Sequence, residues 1–87
     1  MKQPTDEQVL AAIREELAEI KVPGAESATP ESTWKQLDVD SLDLVELVKA
    51  LEDRYGIAID DEQLKPVASV GDAIALVQRL APETAAA

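Results

Sequence analysis

The sequence predicts an all-α fold: a small four-helix bundle of three main helices and a short third one. Three observations carry this. Apolar residues recur at helical spacing in three separate stretches, each opened by a capping residue. Aromatics make up only 2% against 46% hydrophobic, so Leu, Ile, Val and Ala must build the core, which favours helix over sheet. The 87 residues suffice for one domain with one core. Residues 1–81 are assigned to that domain and 82–87 to a flexible C-terminal tail.

The elements follow in order. Thr5 with Gln8 reads as a capping box, and Asp6 and Glu7 supply acids for the first turn. Val9, Leu10, Ala12, Ile13, Leu17 and Ile20 then form an apolar face, and Pro23-Gly24 is expected to end this helix. The connection from Lys21 to Val39 is long for so small a domain. Within it, Thr29-Pro30-Glu31 reads as a cap and first turn. Trp34 and Leu37 are expected to pin it to the core. The second main helix runs from about Ser41 to Tyr55 and meets a plausible C-terminal cap at Gly56. Asp60-Asp61-Glu62 opens about one turn through Leu64 before Pro66, the short helix. Ser69 with Asp72 caps the last helix, whose apolar face is Val70, Ala73, Ile74, Val77 and Leu80.

Composition removes several functions. The formal net charge is −10, which repels phosphate backbones and anionic lipid surfaces and attracts basic patches on other proteins. The chain has no Cys and no His, so disulfides, the usual zinc sites, Cys nucleophiles and Ser-His pairs are out. No metal site is expected. Without an apolar signal core or a membrane-length apolar run, a cytoplasmic location is expected.

The informative stretch is Asp38-Val-Asp-Ser-Leu-Asp-Leu-Val-Glu-Leu47. On a helical wheel, Leu44, Val45, Leu47, Val48, Leu51 and Tyr55 share one broad arc, the core face. Asp43, Glu46, Lys49, Asp53 and Arg54 lie opposite, and Leu42 falls among them. Periodicity leaves Leu42 open: an isolated surface leucine, a residue folded back on the long loop, or a partner contact on an acidic face. Asp40 or Ser41 is a natural N-cap. The same place also suits a phosphodiester on the Ser41 hydroxyl, beside the unpaired amides and positive dipole end of the first turn. Asp38-x-Asp40 fails as a calcium loop, because Leu42, Asp43 and Lys49 stand where a ligand, a glycine and the closing acid are required. A serine hydrolase lacks both a His and a Gly-x-Ser-x-Gly elbow. An unmodified helical interaction module remains the rival to a modified serine.

Around Asp40-Ser41-Leu42 the chain resembles the acyl carrier protein family, the phosphopantetheine-bearing carriers of fatty-acid and polyketide synthesis. The likeness includes Trp34-x-x-Leu37, Leu42 to Leu47, Ala50-Leu51-Glu52, Tyr55-Gly56-Ile57-x-Ile59, Asp61-Glu62 and Ser69 to Ile74. The resemblance implies an acyl-carrier-like bundle with a minor third helix. It implies that Ser41, flanked by Asp40 and Leu42, carries 4′-phosphopantetheine, covalently added from coenzyme A by a phosphopantetheinyl transferase. Acyl groups then ride as thioesters on the added thiol, and the chain is no enzyme. The expected pathway is polyketide or specialised fatty-acid biosynthesis, with a peptidyl or aminoacyl carrier as the alternative. The implied docking surface is Leu42, Asp43, Glu46, Lys49, Glu52 and Asp53. Its partners would be acyltransferase, ketosynthase or adenylating enzymes with basic patches, met by a monomer. Val45, Ala50, Ile59, Val67 and Ala73 form the candidate acyl pocket. Asp38 stands where the family often has Gly, Lys49 where many fatty-acid carriers have an apolar residue, and Asp60 where Pro is frequent.

Overall fold

The computed structural model describes residues 4–81, so the tail assigned to 82–87 lies outside the described residues. Helix α1 spans Asp6–Glu19, α2 Trp34–Leu37, α3 Ser41–Tyr55, α4 Asp61–Leu64 and α5 Val70–Leu80, with a 3₁₀ turn at Ala25–Ser27. The three long helices and the short α4 are those expected. Helix α2 and the 3₁₀ turn are additional, and both lie in the long connection.

Helix α1 starts as the sequence implies: the Gln8 amide donates to Thr5 Oγ1, and the Thr5 amide donates to Gln8 Oε1. It ends earlier than Pro23-Gly24. Lys21 adopts the left-handed conformation (φ 63°). The Val22 amide donates to the Leu17 carbonyl and the Lys21 amide to that of Ala18, a Schellman closure with Leu17 and Val22 both buried. The 3₁₀ turn follows, tied back when Arg14 Nε donates to the Ala28 carbonyl at 2.8 Å.

Thr29-Pro30-Glu31 does not begin a helix. It forms a turn in which the Ser32 amide donates to the Thr29 carbonyl, while Ser32 Oγ accepts from the Thr29 amide. The helix start lies four residues on, where Thr33 and Gln36 repeat the Thr-x-x-Gln box of α1. The chain here pairs with the entry to α5 through an antiparallel bridge, Thr33 to Ser69. The Gly71 amide donates to the Pro30 carbonyl at 2.8 Å, Val70 to Ser32 at 2.9 Å and Trp34 to Ala68 at 3.1 Å. The indole of Trp34, buried, donates to the Val67 carbonyl.

Helix α1 packs on both α3 and α5. Val9, Ile13, Leu17, Leu47, Leu51, Val70 and Val77 are fully buried, each contributing roughly 1.5–3 kcal/mol of apolar burial. The expected faces of α1 and α5 stand, with Leu76 added to the latter and Leu80 only half-buried. On the flank of α3, Arg54 donates to Glu15 at 2.8 Å and approaches Glu16 at 3.5 Å, so it faces α1 rather than the outer face. Partial exposure limits such a pair to about 0–1 kcal/mol.

Two outcomes follow. At Gly71 a Cβ would lie 2.8 Å from the Pro30 carbonyl oxygen, and both sides of that contact are backbone. Gly71→Ala should therefore destabilise by about 1–3 kcal/mol, seen as a lower urea midpoint with an unchanged m-value. Tyr55, the single tyrosine, is raised above its ordinary 10.0 chiefly by burial. Its neutral ring thus contributes stability that is complete below pH 10 and lost as pH rises through its folded pKa. Tyrosinate absorbance should show a midpoint above 10 in the folded protein, with denaturation free energy falling over the same range.

Candidate functional site at the head of α3

The start of α3 is built by what precedes it. Helix α2 closes with Asp38 in the left-handed region (φ 61°). The Val39 amide donates to the Trp34 carbonyl and Asp38 to Lys35. This is again a Schellman closure, at a position where glycine is free of the Cβ penalty and Asp is tolerated. The chain thus reverses within two residues and enters α3 at a fixed angle.

Asp40 is the N-cap. Its Oδ1 accepts from the Asp43 amide at 2.8 Å, and its carbonyl accepts from the Leu44 amide. Ser41 is consequently the first helical residue and has no capping duty. It is exposed, and its hydroxyl makes no hydrogen bond among the described residues. Nor do the Ser41 and Leu42 amides, which point out of the first turn. The other serines differ. Ser32 accepts from Thr29 and Ser69 from Asp72, while Ser27 ends a three-residue 3₁₀ turn and heads no helix.

The outer face of α3 carries Leu42, 72% exposed, and Val45, 47% exposed, the two large hydrophobics most open to solvent. Leu42 does not fold back on the loop. Val45 is three residues on and one turn further up the helix. Glu46, Lys49 and Asp53 are exposed around them, and Asp43 is half-exposed. None of these four makes an ion pair among the described residues.

Two placements correct the sequence reading. Val45 belongs to neither the core face nor a pocket. It lies about 60° beyond Val48 on the helix, and the arc that α1 and α5 cover is narrower than the apolar arc of the sequence. Ala50 lies one turn from Arg54, on the flank facing α1, and does not line the interior cavity. Ile59, Val67 and Ala73 do come together, with Leu44, Leu47 and Val48 opposite, around a cavity of about 10 Å³. That is room for at most one water. Glu52, expected on the docking face, is half-buried and committed: its Oε2 accepts from the Ile59 amide at 2.7 Å. Sequence carried no signal for that bond, which joins two loop-separated residues. No cluster of His, Cys, Asp or Glu able to hold a metal exists among the described residues, and no helix there is long and apolar enough to cross a membrane.

The family of the phosphopantetheine attachment site matches residues 7–77. The chain is 39% identical over 87 residues to the meromycolate extension acyl carrier protein of Mycolicibacterium smegmatis, covering 95% of this chain and 88% of that one. It is 39% identical over 80 residues to the protein of that name from Mycobacterium tuberculosis, covering 91% and 70%. Acyl carrier protein 1, chloroplastic, from Casuarina glauca is 38% identical over 79 residues, covering 91% and 56%. A helical bundle matched over most of its length in this way is a phosphopantetheine-attachment domain. The chain belongs to the acyl carrier protein family, whose cofactor is 4′-phosphopantetheine.

Removing the cap and removing the exposed leucine should differ in cost. Asp40→Ala should lose about 1 kcal/mol, while Leu42→Ala should change stability by less than about 0.5 kcal/mol. Thermal melts of the two variants beside the parent protein test this. A Leu42 variant that melts as low as the Asp40 one would mean that Leu42 is core.

Proposed function

We propose that Ser41 is the residue that bears the arm, and that this chain carries acyl groups undergoing extension and hands them to synthase enzymes. The observation that carries the proposal is the bare Ser41 hydroxyl at the head of α3, freed because Asp40 supplies the cap. The residues present fit the group. An exposed hydroxyl offers the attachment oxygen, and the unpaired Ser41 and Leu42 amides offer donors to an anion at the helix's positive end. When attached, the arm supplies a thiol for thioester linkage, which a chain with no Cys cannot supply itself. A separate transferase adds it from coenzyme A; the chain has no His or Cys to pair with a serine.

Partner enzymes dock on the outer face of α3. Leu42 and Val45 provide apolar anchors, with Asp43, Glu46 and Asp53 as the charged rim and Lys49 as its one base. An acidic rim selects basic partner surfaces and speeds their encounter. The names of the mycobacterial relatives, which denote extension of an acyl chain, favour acyl cargo over an aminoacyl group.

Incubation with a broad-specificity phosphopantetheinyl transferase and coenzyme A, followed by intact mass measurement, tests the assignment. The parent protein should gain one phosphopantetheinyl group and Ser41→Ala none. Absence of any gain in the parent, or a gain surviving in the variant, would overturn it.

A further inference from the structure

The interior cavity is narrow, and its walls are unequal. Helices α3 and α5 form two sides, and both are tied to α1 by buried residues. The remaining sides are Trp34 and the segment from Ile57 to Val67, which contains α4. No residue of α4 is buried. Ile57, Ile59 and Leu64 only lean on the core from a half-buried position. The segment begins after Gly56 in the left-handed region (φ 65°) and ends at Pro66-Val67, where Trp34 Nε1 donates to the Val67 carbonyl across a long 3.3 Å.

Three hydrogen bonds join the Ile57–Val67 segment to the rest of the protein among the described residues: one at each end, the Ile57 amide to the Glu52 carbonyl at 3.1 Å and Trp34 Nε1 to the Val67 carbonyl, and a single one between them, the Ile59 amide to Glu52 Oε2 at 2.7 Å. Those from Asp60 to Gln63, Leu64 to Asp60 and Lys65 to Asp61 are internal to it. A hydrogen bond to a charged acceptor is about twice as strong as a neutral one. Between its two anchored ends the least-buried wall of the cavity is therefore tied by one side chain, and that side chain stands on α3.

We infer that Glu52 is a latch: it holds the Ile57–Val67 strap shut over the interior, and its release is the step that opens this side of the bundle to an apolar chain. A cavity of about 10 Å³ admits no alkyl chain as it stands, so cargo enters only where a wall gives way. Segments with little buried area and few bonds open at the lowest free energy, and the strap is that segment. Glu52 thus acts as a positioning residue, in place of the docking role that the family resemblance implied for it. The functional use of the opening rests on the acyl-carrier reading above, while the latch itself is a property of the unloaded chain.

Amide hydrogen exchange measured by NMR on the full, unloaded chain tests the latch. Glu52→Ala, and Glu52→Asp, which keeps the charge but is one methylene too short, should speed exchange at Ile59 and through α4 by about tenfold to a hundredfold. Amides of α1 and of α5 beyond its first turn should be unchanged. Glu52→Gln, which retains an acceptor oxygen, should restore most of the protection. Uniform acceleration across all helices, or none in the strap, would overturn the proposal. Because the chain is unloaded, these outcomes are independent of whether Ser41 accepts the arm. Loading with an octanoyl chain should then shift the resonances of Ile59, Val67 and Ala73 more in Glu52→Asp than in the parent. Equal shifts in both would show that the latch does not govern entry.

Discussion

The pairing of the loop around Ser32 with the entry to α5 is the constraint on which the rest of the molecule depends. Some twenty residues separate α1 from α3, and a free connection of that length would leave the head of α3 undefined. Instead the backbone of Pro30, Ser32 and Trp34 bonds to Gly71, Val70 and Ala68. The Trp34 indole is carried into the core by the same register. Once Trp34 is fixed, the single turn of α2 has only one direction to take. Asp38 reverses it, Asp40 caps the next helix, and Ser41 emerges as its first residue with nothing to bond. The bareness of one serine thus derives from hydrogen bonds formed outside its own helix.

Much of this was legible because local signals acted alone. The box at Thr5, the cap at Ser69 and the left-handed Gly56 appear where the sequence puts them, since a cap needs only neighbours three residues away. Errors arose where two local signals competed. Thr29-Pro30 reads as a helix start, yet the backbone of Pro30 and Ser32 is claimed by α5, and the helix waits until the Thr33–Gln36 box. Pro23-Gly24 reads as a stronger stop than Lys21, yet burying Val22 against Leu17 closes the helix sooner. In both cases a tertiary contact, absent from any window of the sequence, chose between adequate alternatives.

At the site, the division between Asp40 and Ser41 could not be read, since both residue types cap well. The bond to the Asp43 amide separates their roles. Val45 shows a different limit. Periodicity gives the direction of a side chain but not how wide an arc the neighbouring helices cover. With α1, α5 and the Ile57–Val67 segment packed around α3, the covered arc stops at Val48. Glu52 shows a third: a carboxylate on a polar wheel position reads as solvated, and only the path of the next segment gives it an amide to hold.

These placements sort the residues of α3 by what change in them would disturb. Leu47 and Leu51 belong to the core, Arg54 to the flank against α1, Glu52 to the strap, and Asp40 to the cap. The side chains of Leu42, Val45, Glu46, Lys49 and Asp53 make no hydrogen bond or ion pair among the described residues. Surface positions of that kind change stability little when substituted, so on the docking role proposed here partner choice can drift without loss of folding. Lys49 is the informative member of that group. One positive charge amid acids, without an ion pair among the described residues, gains little from its own neighbours across solvent. Its value would come when an interface excludes water and sets it against an acidic group of a partner, where charge pairing fixes register and rejects partners that lack the matching group.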